Sequence, residues 1–228
     1  GLNKNSPHIV DNYDGILAGS EQDVPVHVYY VSNGDNVDIY FLSNDKIYAP
    51  VDSTEMFYKM SALKKVDTSN LGVSRTENMY RMFSYCTALE ELDVSHFDVS
   101  KVVNMEHAFS HLEVIKELDV SNWKPVSAVE MGHMFYGCAQ LTELDLSGWV
   151  MPNLYTTSHM FADCTNLQTI DVSGWQTTSS WYSMDGMFND CRKVPTLDVS
   201  SWNTSGVVEF SQLFEACWAL QEIKGMEN

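Results

Sequence analysis

The stretch Met131-Gly132-His133-Met134-Phe135-Tyr136-Gly137-Cys138-Ala139-Gln140-Leu141-Thr142-Glu143-Leu144-Asp145-Leu146-Ser147-Gly148-Trp149 decides the fold. Its apolar skeleton returns along the chain. The residue that closes the Met-Phe pair recurs at Phe57, Phe83, Phe109, Phe135, Phe161, Phe188 and Phe214, in steps of 26 residues with a single step of 27. A fixed period in this range marks a chain built from stacked units, each burying its apolar face against its neighbours.

Within a unit, two periods follow one another. Met79, Met82, Phe83 and Cys86 fall at i, i+3, i+4 and i+7, the spacing of one helical stripe, and the residues from Met131 to Cys138 repeat it. Ser74, Ser100 and Ser205 precede such stripes as N-cap candidates. Then Leu92 and Val94 alternate with Asp93 and Ser95, as in a short strand. An aromatic residue closes most units, at Phe97, Trp123, Trp149, Trp175 and Trp202. The expected unit is therefore a strand, a turn, a short helix and a return. The expected fold is an α/β solenoid with a parallel sheet and a right-handed, leucine-rich-repeat-type coil. Residues 51–228 hold six full units and a partial seventh.

Residues 1–50 read differently. The first 23 are polar and without period. Val26, Val28 and Tyr30, then Val37, Ile39 and Phe41, alternate on either side of Asn33-Gly34, a hairpin signal. Ser43-Asn44-Asp45 reads as a second turn. A small antiparallel sheet capping the first coil is expected.

Net charge is −18, which excludes nucleic acid as a partner and disfavours anionic membrane surfaces. No apolar run is long enough to span a bilayer, and no basic-then-apolar leader opens the chain.

The repeat Met-x-x-Met-Phe-x-x-Cys-x-x-Leu-x-x-Leu-Asp-Val/Leu-Ser-x-Trp resembles that of BspA-like leucine-rich-repeat surface proteins of host-associated bacteria and some protists. The resemblance runs from about Asp38 to Asn228 and includes Ile39-Tyr40-Phe41-Leu42-Ser43 and Ile47-Tyr48-Ala49-Pro50. The unit Met105–Trp123 departs from it, with Ala108 for Met and Leu112 for Cys. The resemblance implies a bacterial cell-surface or secreted location and adhesion to a host or microbial surface protein or glycan.

Repetition turns each position into a column. The candidate ligand-binding column holds Asp93, Asp119, Asp145, Asp171 and Asp198, with Glu91, Glu117 and Glu143 two residues earlier on the same face. Stacked carboxylates about 5 Å apart repel by roughly 1 kcal/mol per pair even in water. One reading is a structural ladder in which each Asp accepts bonds from the following Ser or from backbone N–H groups. The other is an acidic face for Ca²⁺ or a basic partner. Cys86, Cys138, Cys164, Cys191 and Cys217 share one position with Leu112 and Met60, which marks an apolar slot for free thiols. Helices 8–10 Å apart would be too distant for disulfides between units. His107, His133 and His159 form a further column, read as spacers rather than metal ligands. No catalytic motif is present. A non-catalytic binding module without a resident metal or cofactor is therefore expected, with a display spacer and then a glycan-active enzyme as the competing readings.

Overall fold

In the computed structural model, the described residues are 47–225 together with the backbones of three strands, β1 (His8–Val10), β2 (His27–Asn33) and β3 (Asn36–Leu42). These three form an antiparallel sheet in the order β1-β2-β3. The β2–β3 register runs from His27↔Leu42 to Asn33↔Asn36, the antiparallel pairing expected of the two alternating runs. Strand β1 corrects the reading of the first 23 residues as wholly irregular. The turn expected at Ser43-Asn44-Asp45 lies outside the described residues.

The remaining strands are short: β4 (Ile47–Tyr48), β5 (Lys65–Val66), β6 (Leu71–Gly72), β7 (Glu91–Leu92), β8 (Glu143–Asp145), β9 (Thr169–Asp171), β10 (Thr196–Asp198) and β11 (Glu222–Lys224). They pair in parallel as β4–β6, β5–β7, β8–β9 and β10–β11. Single parallel bridges carry the register further, through Asp52, Asn78, Asn104, Glu130, Thr156, Ser183 and Glu209. Each of these paired residues thus meets its equivalent in the next unit.

The helical half of the expected unit is wrong: among the described residues there is no helix, and so none that crosses a membrane. Two tight turns replace it. Met82 N–H donates to the carbonyl of Met79, and Cys86 N–H to that of Phe83. Between them Arg81 and Tyr85 take positive φ, at 54° and 60°. The alternate residues Met79, Arg81, Phe83 and Tyr85 donate instead to carbonyls of the next unit. A turn that recurs every four residues puts apolar side chains at i, i+3, i+4 and i+7, which is the helical stripe by another route. The N-cap role for Ser100 and Ser205 goes with the helix: their N–H groups donate to Asp98 and Asn203 in turns of their own.

The core is a set of one-residue columns. Phe57 through Phe214 stack ring on ring with centroids 4.8–5.8 Å apart. Phe97, Trp123, Trp149, Trp175 and Trp202 form a second stack at 5.4–6.5 Å. Each buried ring contributes about 1.5–3 kcal/mol by leaving water. The indole N–H of each Trp in the second stack donates to a backbone carbonyl of the preceding unit, at 2.9–3.1 Å. All five cysteines are free, and each Sγ donates to a Phe carbonyl of the preceding unit at 3.0–3.2 Å. The expected 8–10 Å separation does not hold, because bonded backbones sit about 4.8 Å apart. Cysteines in adjacent units are therefore neighbours, each free and bonded to a Phe carbonyl. The single step of 27 places its extra residue near Thr177–Tyr182, where Ser179 and Ser180 are exposed. Trp181 there is fully buried against Trp175 and Trp202.

Candidate functional site

The acidic face starts with the sequence Asp-x-Ser. In a strand that must turn immediately, a short carboxylate bonds the backbone two residues on. Oδ1 of Asp67, Asp93, Asp119, Asp145, Asp171 and Asp198 accepts the N–H of Ser69, Ser95, Ser121, Ser147, Ser173 and Ser200 at 3.0–3.1 Å. From Ser95 onward the hydroxyl donates to the same Oδ1 at 2.6–2.8 Å. The hydroxyl bond leads in holding the Asp93 and Asp198 carboxyls below the usual range, and the backbone bond in holding Asp67 there. Part of the aspartate column is thus structural: it closes the turn that sends the chain into the Trp stack.

The glutamates have no such duty. Glu91, Glu117 and Glu143 are exposed, as are Asp93, Asp119, Asp145 and Asp171, while Asp198 is half-buried. Glu91 pairs with Lys65, and Glu90 with Lys64 at 3.5 Å. Asp145 faces Asp171 across β8–β9, and Asp198 faces Lys224 across β10–β11.

The face is not uniform. Strand β7 pairs only with β5, and β8 only with β9, so residues 117–119 belong to neither ladder. At this interruption lies a depression of about 840 Å³ lined by Glu90, Glu91, Asp93, Glu117 and Asp119, with Lys64 and Lys116 at its edge and Ala88, Leu92 and Val114 supplying apolar wall. Five carboxylates face two ammonium groups there. The structure therefore gathers four of the predicted residues, Glu91, Asp93, Glu117 and Asp119, into one concavity. Glu143, Asp145, Asp171 and Asp198 lie outside it. Glu90 and Lys116 escaped the sequence reading because their column, Lys64, Glu90, Lys116 and Thr142, mixes charges and shows no single chemistry. The departure of Met105–Trp123 from the repeat was the available signal.

Among the described residues, the carboxylates of this face do not gather three donor atoms close enough to share one ion. Glu106, His107 and His133 do so elsewhere.

Residues 51–175, and again 142–227, match the family described as "Mycoplasma protein of unknown function, DUF285". The chain belongs to the DUF285 family. The two DUF285 matches overlap over 142–175, as expected of a chain whose units are interchangeable in register. The depression falls within the first of them. No curated protein and no solved structure matches the chain.

Proposed function

We propose that this DUF285 chain is a non-catalytic binding module of a bacterial cell surface or secreted protein, and that it presents its acidic face to a protein or glycan partner. The stacked units, on this reading, form a right-handed solenoid of the leucine-rich-repeat type, helix-free and resembling BspA-like repeats, with the sheet of β1–β3 as its cap. The observation that carries the reading is the depression at Glu91, Asp93, Glu117 and Asp119. It is a concavity with apolar walls and an excess of negative charge on an otherwise regular face, which suits a cationic segment of a partner protein best. The surface location rests on the resemblance.

A panel of host-matrix proteins, basic peptides and glycans, immobilised and probed at low and high salt, tests it. A partner should bind more weakly as salt rises. Glu117→Gln with Asp119→Asn should weaken it at least tenfold, while Glu143→Gln has a smaller effect. Binding that ignores both salt and the double variant contradicts the proposal, and turnover of a chromogenic glycoside would favour the enzyme reading.

A further inference from the structure

We propose that Glu106, His107 and His133 bind a divalent transition metal of the zinc, copper or nickel class, at a site separate from the acidic depression. The backbone creates the arrangement. Glu55, Arg81, His107, His133, His159, Gly186 and Gln212 occupy one position in successive units, and all take φ between 54° and 58°. Histidine is among the non-glycine residues that tolerate this conformation. With the same backbone in each unit, the side chains leave in the same direction and stack. The rings of His107 and His133 lie 4.5 Å apart and 18° from parallel, and those of His133 and His159 lie 5.0 Å and 7° apart.

Glu106 is set against this column by Asn104, whose Oδ1 accepts its N–H at 2.8 Å. Its Oε1 lies 3.9 Å from Nε2 of His107. One donor atom from each of Glu106, His107 and His133 lies within 4.8 Å of the other two, and all three residues are half-buried.

A further observation points the same way. Nδ1 of His133, like that of His159, is buried without a hydrogen-bond partner, an arrangement proteins avoid unless another group completes it. Arg81, the adjoining member of the column, is engaged by Glu55 at 3.4 Å and by the Tyr80 ring at 4.8 Å.

Two imidazoles and one carboxylate suit zinc, copper or nickel rather than calcium or magnesium. The donors must close to about 3.4 Å of one another for tetrahedral bonds, which requires the Glu106 side chain to move in and the His107 and His133 rings to tilt out of their stack so that both lone pairs meet one ion.

The test uses tag-free, chelator-stripped full chain titrated with ZnCl₂, NiCl₂ and CuCl₂ by calorimetry, with CaCl₂ as control. One transition ion per chain should bind saturably in the micromolar range, with no heat from calcium. His133→Asn, which keeps a side chain suited to positive φ, and Glu106→Gln should each weaken binding at least tenfold, with metal-free melting curves like the parent's. With Cu²⁺, the electron paramagnetic resonance spectrum should show coupling to imidazole nitrogens that diminishes in His133→Asn. Absence of saturable binding below millimolar metal overturns the site, and so does an affinity that neither variant changes. If His133→Asn fails to fold, Glu106→Gln alone decides.

Discussion

The indole N–H of Trp149 donates to the carbonyl of Val120, 3.1 Å away and one unit earlier. A single side chain thus ties together two units whose backbones are already in register. It adds a second hydrogen bond to a turn carbonyl that already accepts the Trp123 N–H. The same bond recurs from Trp123 to Val94 and from Trp175 to Leu146, so the aromatic column both fills the core and pins each unit to the last.

Replacing Trp149 with Phe should therefore cost more than the lost ring area. The variant leaves a void beside Trp123 and Trp175 and removes one of the two hydrogen bonds that the Val120 carbonyl accepts, the other coming from the Trp123 N–H. A loss of about 2–4 kcal/mol is expected, read as a lower urea midpoint.

Two glycines at equivalent positions should behave oppositely. A Cβ on Gly174 would sit 1.8 Å from the backbone carbonyl oxygen of Ser147, whereas on Gly148 its nearest neighbour is Lys124 Nζ at 3.3 Å. The Lys124 side chain swings away easily, but the Ser147 backbone does not. Gly174→Ala should cost about 2–3 kcal/mol by thermal melting, and Gly148→Ala less than about 0.5 kcal/mol.

These pairings show what the sequence makes legible. Register was readable, because Phe135 and Phe161 can be aligned by counting. Burial of the Trp and Cys columns followed from it. The helix was misread at Met79, Met82, Phe83 and Cys86 because side-chain spacing reports the repeat of a turn and not its hydrogen bonding. A two-turn segment with Arg81 and Tyr85 at positive φ has the same four-residue beat. Residues such as arginine and tyrosine carry no signal for that conformation, as glycine would. The misreading then spread, since helix spacing kept His107 from His133 on paper while bonded backbones bring the rings to 4.5 Å. The acidic columns were legible, but not the depression. It arises where residues 117–119 fail to join the ladder, a property of one unit against its neighbours.

The thiols should be silent in the native protein. Burial pushes Cys86 up to about 11 and Cys138 up to about 12, and raises Cys164 and Cys191 well above the usual thiol value. Cys217 is also raised, to about 11, but is only half-buried. An aromatic disulfide reagent near pH 8 should label Cys217 slowly and the others only after denaturation, with sites mapped by mass spectrometry.

Acid should loosen the Asp-x-Ser turns. Asp67, Asp93 and Asp198 have carboxyls held below the usual carboxylate range by their serine partners. A depressed carboxyl stabilises the fold above its unfolded value, and that contribution is lost as pH falls through the folded one. The melting temperature should fall between about pH 4 and pH 2. The fall should be shallower in the Asp67→Asn, Asp93→Asn, Asp198→Asn triple variant, whose amides do not titrate.

The central claim is that successive units meet strand to strand, residue on equivalent residue. Glu143 and Thr169 are paired in register across β8–β9. Nitroxide labels placed at Glu143→Cys and Thr169→Cys, in a Cys217→Leu background, test this by electron paramagnetic resonance. Backbones about 4.8 Å apart predict a spectrum strongly broadened by spin–spin coupling in the double variant and absent from either single variant. An unbroadened double-label spectrum would contradict the account.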